Sequence, residues 1–138
     1  MPMLIPTRLA PSPIHGLGLF AEEPVAAGTP MWRFDPRIDR IIAPGDTVLT
    51  DYPGVARMAE SHGCVIDEAG SVLLLGDDSR FVNHADEPVM GRAESDDWRV
   101  FRALRDIAAG EELTCNYEDI CGDVRDAGAA QYLAETAG

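Results

Sequence analysis

Three short stretches carry residues whose types and spacing could do chemistry. The first is Ser12-Pro13-Ile14-His15-Gly16-Leu17-Gly18-Leu19-Phe20-Ala21. Gly16 and Gly18 bare the backbone on both sides of Leu17, so a ligand's polar atoms could reach its N–H and C=O groups; a simple tight turn would use the same glycines. A dinucleotide-binding fingerprint needs a third glycine and a helix after a strand. Residue 21 is alanine and a strand is predicted to follow, which excludes that site. The second stretch, RFVNHADEP over residues 80–88, sets Asn83 beside His84. Each can donate and accept through one group, as a ligand with an amine, a carboxylate or an adenine edge requires. Unpartnered, neither is cheap to bury, so the alternative is a turn with both facing water. The third runs from Ala109 to Glu118 and leads through Leu113-Thr114-Cys115-Asn116 to Tyr117. That phenol could orient an amine at a closed site, or sit in the core with its hydroxyl satisfied.

The elements that must position these residues are short. Apolar runs broken by Gly, Pro and Asp predict strands over Leu17–Glu22, Pro30–Phe34, Cys64–Asp67, Val72–Leu75, Trp98–Leu104 and Glu112–Thr114. Glu68-Ala69-Gly70-Ser71 has the length and the glycine of a hairpin loop. One helix is predicted over Pro53–His62, with Pro53 suited to its first turn, Gly63 to the cap, and Val55, Met58 and Ala59 on one face. A second, alanine-rich helix is predicted over Asp123–Glu135. Pro24-Val25-Ala26-Ala27-Gly28-Thr29 echoes Asp106-Ile107-Ala108-Ala109-Gly110-Glu111 and predicts two similar bends at strand ends. Together these describe a predominantly β, α+β domain.

Composition narrows the function classes. At 138 residues and 46% apolar the chain is expected to form one globular domain over residues 1–138. No stretch approaches the ~18 apolar residues of a membrane span. Prolines at 2, 6, 11 and 13 break the start, so no secretion signal is expected and the protein is read as intracellular and cytoplasmic. Cys64, Cys115 and Cys121 cannot form a disulfide framework and show no C-x-x-C pair, so no metal is expected. His62-Gly63-Cys64 reads as a helix end. The net charge of −13, from 24 acids against 11 bases, repels phosphate backbones and attracts basic polypeptides. No direct nucleic-acid binding and no membrane partner are therefore expected.

Taken in order, the three stretches resemble the motifs of the SET-domain protein lysine methyltransferases, in the small stand-alone form found in bacteria and viruses. The likeness covers about residues 8–119, leaving 120–138 as a C-terminal helical flank. Ser12 to Ala21 is similar to S-x-I-H-G-x-G-L-F-A. Arg80, Phe81, Asn83, His84 and Pro88 are similar to R-F-x-N-H-S-C-x-P-N, and Gly110 to Thr114 with Tyr117 to G-E-E-L-T-Y-D-Y. The resemblance implies several short twisted sheets with a threaded, pseudoknot-like C-terminal segment. It implies S-adenosyl-L-methionine as cofactor and a lysine of a basic, histone-like protein or peptide as methyl acceptor. Gly16, Leu17, Gly18, Arg80, Phe81, Asn83 and His84 would then bind the cofactor. Tyr117 would be catalytic, sharing the substrate channel with Phe34 and Cys115.

Several positions depart from the family's pattern. Ala85-Asp86 stands for Ser-Cys, Val89 for Asn, and Asn116 for Asp. The cysteine cluster that follows many SET domains is missing, so covering the cofactor would fall to residues 123–135 or to a second subunit, some small members being homodimers. Cys115 stands where the family has an aromatic residue, and Phe34 near where many members have a tyrosine; the channel is expected to be roomy and to favour higher methylation states. The alternative is a catalytically silent SET-fold module that binds cofactor or a basic partner. A Cys–His hydrolase on Cys64 or Cys115 lacks a third group and a nucleophile turn.

Overall fold

A computed structural model describes residues 3–92 and 99–118 of the chain. The predicted helix at 123–135 lies outside the described residues. Strands β1 (Thr7–Pro11) and β2 (Leu17–Ala21) form an antiparallel hairpin, with Leu9 opposite Leu19. β3 (Pro30–Arg33), β8 (Met90–Gly91) and β9 (Val100–Ala103) form a sheet in the order β3-β9-β8. β4 (Arg40–Ile42), β5 (Cys64–Val65) and β6 (Val72–Leu74) form another, in the order β4-β6-β5. β7 (Asn83–His84) pairs in parallel with β10 (Thr114–Cys115). Helices α1 (Val48–Asp51) and α2 (Pro53–His62) and a 3-10 helical turn over Asp78–Phe81 complete the described elements.

The predicted strands are present but mostly shorter, and β1, β4, β7, β8 and α1 have no counterpart in the sequence reading. The reason is local. β1 lies against β2 with no residue fully buried, so it carries little apolar alternation for a sequence to reveal. β7 and β8 are two residues each and exist only because a partner strand is adjacent. The last predicted strand shifts: Glu112 makes a single bridge to Phe20, and the ladder proper runs over Thr114–Cys115. Helix α2 matches its predicted bounds, with Pro53 in its first turn and the Gly63 N–H closing on Ala59 O at 2.9 Å.

The echoed segments do more than bend alike; they pair with each other. Val25 and Ile107 exchange two N–H···O bonds of 2.8 Å, and Ala27 N–H donates to the Asp106 carboxylate at 2.8 Å. Gly28 and Gly110 each take a left-handed conformation, with φ of 86° and 83°, where a side chain would be strained. Their N–H groups close on the ends of two strands, at Ala103 O and Ala21 O.

That pairing fixes how the chain returns. After Gly110 it runs between β2 and β7, with Ala21 N–H donating to Glu111 O, Leu113 N–H to Leu19 O, and Ala85 N–H to Cys115 O. This is the threaded C-terminal segment. It brings residues 112–117 against 12–18 and 80–84, which are far apart in sequence.

Two apolar clusters hold the frame. The main core gathers Leu19, Met31, Trp32, Phe101, Ile107 and Leu113 among others, with Trp32 and Phe101 edge to face at 5.7 Å. A smaller cluster of Ile42, Leu49, Ala59, Val65 and Val72 seats α2 on the β4-β6-β5 sheet. Buried Asp39 ties that sheet's ends by accepting from Asp35 N–H and Gly76 N–H, each at 3.0 Å. Burial raises the Asp39 carboxyl above the usual range, and the two backbone donors oppose that rise. Among the described residues no helix is long and apolar enough to cross a membrane.

Candidate active site

A polar seam joins the three motif-bearing stretches. Ser12 Oγ accepts from Ile14 N–H at 2.9 Å and His15 N–H at 3.3 Å, curling the loop before Gly16. Its own hydroxyl donates to the Glu112 carboxylate, 2.8 Å from both oxygens. Asn83 Nδ2 completes the seam. Glu112 Oε2, Ser12 Oγ, His15 O and Leu17 O lie 3.0, 3.1, 3.1 and 3.3 Å from it. Two amide hydrogens shared among four acceptors make Asn83 a clamp on the loop from beneath. A Cβ at Gly18 would lie 2.6 Å from Glu112 Oε2, so any side chain there would push that carboxylate aside. Asn83 is buried, and a buried amide with this many partners fixes geometry at little cost.

The next residue behaves differently. His84 is partly exposed, its ring edge-on to Tyr117 with centroids 5.2 Å apart. Nδ1 accepts from Tyr117 N–H at 3.2 Å, so the neutral ring carries its proton on Nε2, which faces Asp86 Oδ1 at 3.1 Å. Asp86, one of the departures from the family pattern, thus lies against His84 while being almost wholly exposed. Tyr117 Oη donates to Val82 O at 2.8 Å. A phenol has one hydrogen to give, so with that hydrogen committed its oxygen meets any further group as an acceptor.

Above the seam lies a cavity of about 320 Å³, within the range of small-molecule sites. Of the residues singled out from sequence, Gly16, Leu17, Arg80, Phe81, Asn83, Cys115 and Tyr117 line it. Gly18 and His84 do not; they stand one layer behind, under the loop and behind the Tyr117 ring. Phe34 does not either: it is half-buried against the main core, so the residue at 34 has no part in the walls of this cavity. Arg80 lies over the Phe81 ring at 5.0 Å, offering a cation and an apolar face side by side.

Sequence reasoning missed the opposite wall. The end of α2 contributes Glu60, Ser61 and His62, and the His62 ring meets Phe81 edge to face at 5.2 Å. Burial, and then the neighbouring Arg80 and His15, hold the His62 imidazole below the usual histidine range. Nothing in a helix end predicts a cavity wall; only the packing of α2 brings it there. Ser12 and Glu112 were inside the quoted motifs, but their bond spans a hundred residues and is invisible without the fold.

No curated protein matches the chain. Among solved structures, one of Polycomb Repressive Complex 2 from Chaetomium thermophilum, a humanized mutant bound to an inhibitor, aligns with a TM-score of 0.61 at 25% identity. The match covers 87% of this chain but 16% of that one. A second inhibitor-bound structure of the same complex gives 0.61 at 26% identity, with the same coverage. The Neurospora histone lysine methyltransferase DIM-5 shares the fold, with a TM-score of 0.55 at 19% identity over 84% of this chain and 53% of that one. The family model described as the SET domain matches residues 16–118, three-quarters of the chain, and with that match the protein is a member of the SET-domain family.

Proposed function

We propose that the protein is a lysine methyltransferase that uses S-adenosyl-L-methionine and acts on a lysine in a basic protein segment. The observation that carries this reading is Tyr117, whose hydroxyl is committed to Val82 O at the wall of a cavity that also holds Arg80 and Phe81. The residues present suit such a cofactor: a guanidinium for a carboxylate, an aromatic face for a purine, and the bared backbone of residues 16–17 for an amino-acid end. Bound there, S-adenosyl-L-methionine would supply a sulfonium methyl to an amine, the C–S electron pair returning to sulfur.

The chain's own residues would do the rest by positioning. Tyr117 Oη, its hydrogen given to Val82 O, would accept from the incoming amine's remaining N–H groups and so orient it. The apolar parts of Leu17, Leu73, Leu75 and Val82 would exclude water and favour the neutral, nucleophilic form of the lysine. Asn83 and Glu112 would act from below by holding the loop. The chain's charge of −13 supports a basic substrate. Catalytic use of Tyr117, cofactor contact by Gly16, Leu17, Arg80, Phe81 and Asn83, and an intracellular site of action all belong to this reading.

The test is transfer of labelled methyl from S-adenosyl-L-methionine to a panel of basic proteins. Tyr117→Phe is expected to lower the rate about a hundredfold while the cofactor's Kd stays within about twofold. Equal rates for the variant and the wild type would remove Tyr117 from the mechanism. Cofactor binding without transfer to any protein of the panel would favour a silent binding module, a reading for which the altered residues Ala85, Asp86 and Cys115 speak.

A further inference from the structure

His62 is the cavity residue whose chemistry the reading above leaves unused. Its neighbours define what it can do. Ser61 Oγ has one hydrogen and gives it to Arg57 O at 2.9 Å, so the contact between Ser61 Oγ and His62 Nδ1, also 2.9 Å, needs the proton on Nδ1. The neutral ring therefore keeps its lone pair on Nε2. A second proton can add there without breaking the Ser61 contact, and the ring becomes a cation in place. The charged and titratable groups around it in the cavity are Arg80 from the 3-10 helical turn, His15 from the β1–β2 loop and Glu60 from its own helix. Cys115 and Tyr117 complete the titratable lining.

We propose that His62 sets this cavity's preference between the cationic methyl donor and the neutral thioether left after transfer. Taking up a proton tilts that preference toward the thioether. The proposal rests on the donor reading of the cavity. Donor and thioether differ by one methyl group and one positive charge, so their shape barely distinguishes them and the sign of the wall does. With His62 neutral, the ligand's own carboxylate would offset Arg80. With His62 protonated, a further positive charge faces the sulfonium and has no sulfonium to face in the thioether. Arg80 and His15 line the same cavity as His62, so a charge gained by His62 adds to theirs there. Acidification would then leave the site held by its own product.

The experiment is calorimetric titration of the intact protein with S-adenosyl-L-methionine and, separately, with S-adenosylhomocysteine, between about pH 8 and about pH 5. Wild type, His62→Gln and His15→Gln are compared at each pH, so that the ligands' own titration cancels. In wild type and His15→Gln the donor is expected to lose affinity relative to the thioether by about fivefold more than in His62→Gln, the effect of one unit charge across such a cavity. A second measurement needs no variant. By linkage, the donor must lower the His62 pKa followed by NMR more than the thioether does. An equal loss in wild type and His62→Gln, or an equal NMR shift with both ligands, overturns the inference while leaving the donor site standing. Failure of both ligands to bind wild type would instead overturn the donor reading, and the inference with it.

Discussion

The two walls of the cavity are built on opposite principles. The seam side, residues 12–18, 80–84 and 112–117, is held by hydrogen bonds between polar groups that are remote in sequence, with Asn83 and Glu112 at their centre. The α2 side is held by a small apolar cluster under the helix, and among the described residues the ones it presents, Glu60, Ser61 and His62, make no hydrogen bond to the seam and meet it through the ring contact of His62 with Phe81. A hydrogen-bonded seam is directional and has one good geometry. A packed helix tolerates substitution on its outward face so long as its buried face is kept. The first wall therefore fixes where a ligand lies, and the second is free to tune what the ligand may be.

The comparison can be broken from either side. Ile42→Ala, at the fully buried centre of the small cluster, is expected to cost about 3 kcal/mol in denaturant unfolding through the cavity it leaves. It should loosen α2 and leave the Asn83 amide resonances where they were; a large shift of those resonances would mean that the walls are one unit. Glu112→Ala is expected to cost about 2 kcal/mol, by leaving the Ser12 hydroxyl and the Asn83 amide short of an acceptor. Glu112→Gln should cost less, because one amide oxygen still accepts. If the walls are independent, the Ile42→Ala and Glu112→Ala costs add to within about 0.5 kcal/mol in the double variant. Asp86→Ala gives the smallest effect: its carboxylate is exposed, so stability should not change measurably. Its visible consequence should be confined to the His84 ring, read as a change in the imidazole nitrogen shifts.

Much of this architecture was legible beforehand, for particular reasons. α2 was readable because Pro53, the Val55 and Ala59 spacing and Gly63 all mark one helix. The β5–β6 hairpin was readable from its apolar runs and Gly70, which takes the positive φ of 91° that such a loop uses. β7 was not, because a two-residue strand has no periodicity of its own and forms only when β10 arrives beside it. The site was legible as three motifs but not as a mechanism of assembly. Asn83 and His84 were expected to share one role, and they stand on opposite sides of their strand, as successive residues of an extended chain must. One clamps the loop from within, and the other backs Tyr117 from outside the cavity. Phe34 drops out of the cavity's walls for the same kind of reason, since its ring packs toward the core.

By itself the sequence determined which residues carry the chemistry and which short elements bear them, because residue type, glycine placement and local periodicity are properties of neighbours along the chain. It also determined the acidity that favours a basic partner. Only the tertiary structure decided that Ser12, Asn83 and Glu112 form one network and that the end of α2 closes the cavity with His62. Those contacts join residues tens of positions apart through the insertion of 111–115 between β2 and β7. Their existence depends on where the chain returns, which no local pattern encodes.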